Sequence, residues 1–218
     1  MAECCPGCRH LVIPFFSNAV LKNYRVVQPL SILWVLLAGL FLRGLLEGMG
    51  MRRFFWIPDL VLLFFASYLS FVWGFWKSVE TKILLMLHLS FAWFSIALIL
   101  DLLQNLIFLW SHGTRLILGL APLHALTIGF FSSMVIGISI RVTLGHSGRP
   151  VGADRTTWRL FCVFQTASIL RVLADFFPSG SLLSRGGYES SALLWIGAFT
   201  FWLIKYGPLF WRPALTDQ

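Results

Sequence analysis

Charged side chains are scarce in this sequence. Asp, Glu, Lys and Arg make up 12% of its 218 residues, whereas an ordinary soluble domain carries about 25%. Hydrophobic residues make up 58%, and a bilayer can cover this much apolar surface where a soluble core cannot. The apolar runs are long and continuous instead of alternating with period two, so helices are favoured over strands. We therefore predict an all-α fold, a polytopic integral membrane helical bundle.

The sequence also lacks the common catalytic patterns. It contains no nucleophile–base pair, phosphate-binding glycine loop, pair of catalytic carboxylates or HExxH motif. Hydrolase chemistry therefore has no support, and we leave open whether the protein is an enzyme.

The four cysteines do not form a disulfide framework. Cys162 lies inside an apolar run, and the other three cluster at Cys4, Cys5 and Cys8. Three thiols in five residues are chemically suited to a soft metal, but no second cluster accompanies them. Their role stays open.

The formal net charge of +8 would suggest a nucleic-acid partner in a soluble protein. Here the basic residues fall between apolar runs, a pattern that sets membrane orientation, so we expect a lipid bilayer and no nucleic acid. A helix needs about 20 mainly apolar residues to cross the hydrocarbon. About six segments meet this requirement: 29–48, 57–76, 83–103, 116–140, 158–177 and 191–211.

Six spans place both termini on one side of the membrane. That side would hold eleven of the seventeen basic residues, which predicts cytoplasmic termini. We divide the chain into a loop-like segment at 1–28, a six-span membrane domain at 29–213 and a short tail at 214–218. We expect the first segment to be an inter-helix loop that remains from a truncated longer protein.

The fourth span carries small residues at every fourth position. They line one face of a helix and predict close packing against a neighbouring backbone, because association within lipid depends on packing and polar contacts. The residues are Ala121, Ala125, Gly129, Ser133 and Gly137.

His124 lies beside this stripe, just after Pro122. A polar side chain at this depth usually faces the bundle interior. A neutral imidazole there could bind a metal or haem, or it could form a structural interhelical hydrogen bond. The residue alone favours the structural interpretation.

The end of the same span reads RVTLGHSGRP and brings Arg141, His146 and Arg149 close together. Such a turn suits an anion, but composition alone favours a basic cytoplasmic turn that anchors the topology. His88, near the start of the third span, would lie on the same membrane side as His146. His124 would lie about 25 Å from Arg141 along the helix, so two separate sites are expected.

Other ionisable residues within the spans suggest local pairs. Arg43 and Glu47 are four residues apart, as are Arg171 and Asp175, so each pair can interact along one helix face. We expect Asp101 to cap its helix or to pair with Arg115 across the following loop.

Several stretches together resemble the NnrS family of bacterial membrane proteins. The pattern LHALTIG…RVTLGHSGRP is the most specific, and LVIPFFSNAVLKN, LLMLHLSFAW, RVLADFFP and WLIKYGPLFWRP are also similar to family segments. The resemblance covers about residues 9–213. Family members have about twelve spans, so it implies that this chain corresponds to the C-terminal half only.

The resemblance implies a bacterial inner-membrane protein that binds haem and copper and takes part in resistance to nitric oxide and nitrosative stress. It makes His88, His124 and His146 candidate metal ligands, and Arg141 and Arg149 candidate partners of haem propionates. It also implies a missing N-terminal half, or a second copy of the chain in its place, as partner.

Two alternatives remain. A small-solute transporter or permease would use polar residues such as His124 and Thr127 to line a pathway. An incomplete half-protein would only fold in the membrane.

Overall fold

The computed structural model describes residues 30–73, 75–79, 81–114, 117–147 and 151–210, and every regular element in those ranges is helical. The long helices are α1 (Leu30–Gly48), α2 (Trp56–Val72), α4 (Lys82–Trp110), α7 (Arg155–Ala174) and α8 (Leu182–Tyr206). Short helices are α3 (Phe75–Ser78) and the 3-10 turns Arg52–Phe54 and Gly207–Phe210. Between α4 and α7, α5 (Ala121–His124), a π-helix (Ala125–Ser132) and α6 (Ser133–His146) follow one another without interruption.

Five helical segments are long and apolar enough to cross a membrane, which confirms the all-α membrane bundle. They are Leu30–Gly48, Arg52–Val72, Lys82–Trp110, Ala121–His146 and Leu182–Phe210.

The remaining predicted span, 158–177, corresponds to α7 but is not among these five segments. Its 20 residues include Arg155, Arg159 and Arg171 together with Gln165, so it is less apolar than we expected. Apolarity therefore supports five of the six predicted spans, and the sixth, α7, stays a prediction and is distinguished by its polar residues.

Helix α7 nevertheless runs antiparallel to α8 along its whole length. The Thr157 and Tyr206 hydroxyls share a hydrogen bond at one end. Ser191 Oγ donates to the carbonyl of Ala167 in the middle (2.8 Å). At the other end Tyr188 donates to Asp175. A 20-residue helix is about 30 Å long, so α7 is long enough to cross the hydrocarbon of a bilayer beside α8.

Helix α4 is the centre of the bundle and contacts α2, α3 and the α5–π–α6 segment. One apolar cluster around Phe91 and Phe94 joins it to Leu62 and Ala66 of α2. Helix α1 lies at the periphery, with Phe41 74% exposed. Exposed apolar side chains of this kind are what a lipid-facing helix requires.

The small-residue stripe of the fourth span is buried along its length. A methyl group on Gly129 would lie only 2.5–2.8 Å from the Trp93 indole, and one on Gly137 would lie 3.0 Å from Leu87. Gly129 belongs to the π-helix, a widened backbone form that is often found at functional sites. The absence of a side chain at Gly129 therefore allows α4 to approach the π-helix closely.

Asp154 caps the beginning of α7. Its carboxylate accepts the backbone N–H of Thr157 (2.8 Å) and the ammonium of Lys205 (2.8 Å). Burial acts to raise the Asp154 pKa, but the bonds from Lys205 and Thr157 outweigh it and lower the pKa to about 2. The N-cap bond satisfies one of the free N–H groups of the first helical turn.

We predict that Gly129→Ala destabilises the protein by about 1–3 kcal/mol, because the added methyl must displace the Trp93 indole. Gly197→Ala is the matched control, since nothing lies within 4 Å of its added methyl. Thermal unfolding in detergent, followed by tryptophan fluorescence, measures both. An equal effect of the two variants would contradict the close contact.

We also predict that the stability difference between the wild type and Asp154→Asn depends on pH. A carboxylate with a depressed pKa stabilises the folded state above its unfolded pKa, and this contribution is lost as pH falls through the folded pKa. The difference should stay constant from pH 7 to about 4 and shrink between about 4 and 2. A difference that does not change over this range would show that Asp154 acts without its charge.

Candidate functional site

His124 is held at one end of the α5–π–α6 segment. Pro122 occupies the first turn of α5, where its missing N–H costs no hydrogen bond. His124 is 8% exposed, and the π-helix begins at the next residue. The backbone thus places a buried imidazole at the junction of two helical forms.

Three side chains surround the His124 imidazole; we call the four residues together the His124 cluster. His124 Nδ1 lies 2.6 Å from Asp175 Oδ2, and Tyr188 donates a hydrogen bond to the other carboxylate oxygen. Arg171 Nε donates to His124 Nε2 at 3.3 Å, and its guanidinium lies 4.5 Å from the centre of the Tyr188 ring. The cluster joins α5, α7 and α8.

This arrangement assigns the imidazole tautomer. The ionised carboxylate can only accept, so the Nδ1–H of His124 donates to Asp175, and Nε2 carries the lone pair that accepts from Arg171. A histidine that ligates a metal commonly donates its second ring N–H to a carboxylate. The His124–Asp175 pair has that form.

Sequence spacing did not identify this cluster. Arg171 and Asp175 were expected to pair with each other, but in the structure both bond to His124. Tyr188 was not predicted at all. The only signal for it was a polar aromatic residue near the start of a span, which is common at membrane interfaces.

His88 lies in the interior of the bundle on α4. It is 1% exposed, and its ring packs edge-to-face on Phe75 at 6.1 Å between centroids. Across the described ranges, no three His, Cys, Asp or Glu side chains come together so that they could hold a metal ion. The structure therefore does not bring His88, His124 and His146 into one metal centre.

His146 lies at the opposite end of the segment from His124. It is exposed in the last turn of α6 and lines a cavity of about 250 Å³. Because the helical segment is continuous, the two histidines are roughly 30 Å apart along it. Arg141 is partly buried on α6, and Arg149 lies outside the described residues.

Thr127 does not share a polar lining with His124. Its hydroxyl donates to the carbonyl of Leu123, four residues earlier (2.8 Å), and the residue is exposed on the outer surface. Nothing in this geometry favours a solute pathway that uses both residues.

A second buried polar group, which we call the Arg43 network, joins α1, α2 and α4. Arg43 donates to Asp59 (3.0 Å) and to Asp101 (2.8 Å), and its guanidinium lies 3.7 Å from the centre of the Phe55 ring. Asn105 donates to the second oxygen of Asp59 (2.7 Å). Asp59 is only 1% exposed, so these bonds compensate a charge that would be costly without partners.

Sequence spacing identified only the weakest part of this network. The predicted Arg43–Glu47 pair exists at 3.7 Å, but the Glu47 side chain is 73% exposed. Asp101 bonds to Arg43 (2.8 Å). The expected partner Arg115 lies outside the described residues, so that pair stays a prediction.

Comparison with known proteins gives one result. The family model described as NnrS protein matches residues 8–214, which is nearly the whole of this chain. No curated protein and no solved structure matches the chain. The correspondence to one half of the family pattern stays a prediction.

We predict that Arg43→Met destabilises the protein by about 3–5 kcal/mol, because it leaves Asp59 buried without its cation. Arg185→Met is the control, since the Arg185–Glu189 pair is exposed and such pairs contribute ~0.5 kcal/mol. Chemical unfolding in mixed micelles compares them. Similar losses in both variants would show that the Arg43 network is not a structural element.

Proposed function

The chain belongs to the NnrS family, and on this premise we propose that it is a multi-pass protein of the bacterial inner membrane that binds haem and copper and acts in resistance to nitric oxide. The observation that supports haem binding is the His124–Asp175 pair. It couples the Nδ1–H of a buried imidazole to a carboxylate, and Nε2, which accepts a hydrogen bond from Arg171 in this structure, would bind a metal after Arg171 turns away. Both termini are proposed to lie in the cytoplasm.

The His124 cluster fits the needs of a haem group in its donor set. A haem iron is commonly held by one protein histidine, and His124 Nε2 would be that ligand. Bound haem would supply an iron atom able to take up nitric oxide. Binding of the iron would displace the Arg171 N–H from His124 Nε2, and the displaced guanidinium would then be able to pair with an anionic propionate.

The remaining residues of the cluster orient the ligand. Asp175 accepts the Nδ1 proton and thereby fixes the tautomer and the ring orientation. Tyr188 holds the second oxygen of Asp175 and so limits rotation of the carboxylate. Burial of the Asp175 side chain, which is 2% exposed, keeps water from competing for these bonds.

Copper is a different case. The described residues do not provide three ligands in one place, so they do not fit a copper site on their own. His88 and His146 stay candidates through the family resemblance, and Cys4, Cys5 and Cys8 lie outside the described residues.

We predict that the purified full chain contains haem and that His124→Ala abolishes its retention. Asp175→Asn keeps the ligand but removes the carboxylate behind it, so haem affinity should fall about 10–100-fold. The reduction potential should rise, because the imidazole becomes a weaker donor. Pyridine haemochrome analysis, haem transfer to an acceptor protein and a redox titration measure these changes.

Glu189→Gln is the control, since Glu189 is an exposed carboxylate one residue beyond Tyr188. A well-folded wild type without haem would overturn the proposal. Normal haem retention by His124→Ala would instead overturn only the assignment of the ligand.

A further inference from the structure

The Arg43 network contains two carboxyl groups but a single cation. Arg43 bonds to both Asp59 (3.0 Å) and Asp101 (2.8 Å). The three residues belong to three different segments that are long and apolar enough to cross a membrane. One guanidinium neutralises one carboxylate. Two ionised carboxylates would therefore leave an excess negative charge among these helices.

The charged groups beside the network do not cancel this excess. Glu47 lies 3.7 Å from Arg43 and has the same sign as the excess, but its side chain is 73% exposed and therefore screened. Arg52 places its guanidinium over the Phe108 ring at 5.3 Å instead. Because an unpaired charge within a membrane is costly, a proton on one carboxyl group is the simplest way to neutralise the network.

The hydrogen bonds indicate which carboxyl group takes the proton. Both oxygens of Asp59 accept a hydrogen bond, Oδ1 from Arg43 and Oδ2 from Asn105 (2.7 Å). A proton on either oxygen would oppose an N–H group that already points at it. Asp101 accepts the Arg43 bond through Oδ2, so a proton on its Oδ1 disturbs no bond of the network.

Asn105 gives independent support for a proton at this place. It is 3% exposed, and its side-chain oxygen Oδ1 is buried and receives no hydrogen bond within the described part of the chain. This oxygen is closed to water, so its donor has to be a neighbouring protein group. Asn105 follows Asp101 by four residues and therefore lies on the same face of α4. A protonated Asp101 has an O–H to donate, whereas an ionised one can only accept.

We propose that the Arg43 network is a proton-binding site within the membrane. The carboxyl pair Asp59–Asp101 holds one proton, so that the pair and Arg43 together are neutral. In the conformation of the structure Asp101 carries this proton and donates it to Asn105 Oδ1. The inference does not depend on haem or on the His124 cluster.

The test is infrared spectroscopy of the full chain in lipid vesicles at neutral pH. We expect the wild type to show the C=O stretch of a protonated carboxyl group, which shifts in deuterium oxide. Asp101→Asn and Asp59→Asn each leave one carboxylate for one guanidinium. Both variants should therefore lose the intensity of one protonated carboxyl group, although they change different residues.

Glu47→Gln is the matched control, because it removes an exposed carboxylate beside the same guanidinium, and it should keep the band. A band of wild-type intensity in both folded aspartate variants would overturn the proposal. Loss of the band in only one of them would overturn the sharing of one proton by the pair.

A measurement on the wild type alone covers the case in which neither aspartate variant folds. Isotope labelling of the aspartate carboxyl carbons should move the band to lower frequency. A band that does not move with this label would overturn the proposal.

Discussion

The close approach of the π-helix to α4 is the contact on which the rest of the bundle depends. Gly129 lets the Trp93 indole lie against the backbone. From that position the indole N–H donates to Gln165 (2.6 Å), and Gln165 in turn donates to Ser133 (2.9 Å). One small residue thus allows a chain of hydrogen bonds that ties α4, α6 and α7 together. Polar side chains on three helices are satisfied inside the protein, as the bilayer requires.

This contact also bears on the position of the His124 cluster. The helical segment that contains Gly129 carries His124 at one end and Thr143 with His146 at the other. Helix α7 brings Asp175 and Arg171 to the first end. Its polar residue Gln165 forms hydrogen bonds with Trp93 of α4 and Ser133 of α6. The His124 cluster is charged, and each of its four side chains takes part in at least one hydrogen bond.

The sequence predicted the elements better than their contacts. Long apolar runs are sufficient to locate helices such as α4, because hydrophobic length is a direct requirement of the bilayer. Helix α7 was predicted as a helix, but the sequence did not explain its polar residues. In the folded protein Arg171 bonds to His124, and Gln165 bonds to Trp93 and Ser133. The π-helix at Ala125–Ser132 is as apolar as the α-helices beside it, so hydropathy could not distinguish it from them.

Spacing along a helix identifies neighbours four residues apart and no others. It therefore predicted Arg43–Glu47 but missed the bonds of Arg43 to Asp59 and Asp101, which are 16 and 58 residues away. The His124–Asp175 contact, 51 residues apart, was missed for the same reason. Family resemblance singled out His124 without its partners, and the partners are what distinguish a metal ligand from a packing residue.

The central claim is that α7, although more polar, crosses the membrane beside the five apolar segments and so brings Arg171 and Asp175 to His124. Labelling with a membrane-impermeant thiol reagent tests this in a chain whose four native cysteines are replaced by alanine. Single cysteines would be introduced at Gly145, before α7, and at Leu182, after it; Leu182 is 90% exposed. The account predicts that Gly145→Cys reacts only from the cytoplasmic side and Leu182→Cys only from the other side. Reaction of both from one side would contradict it.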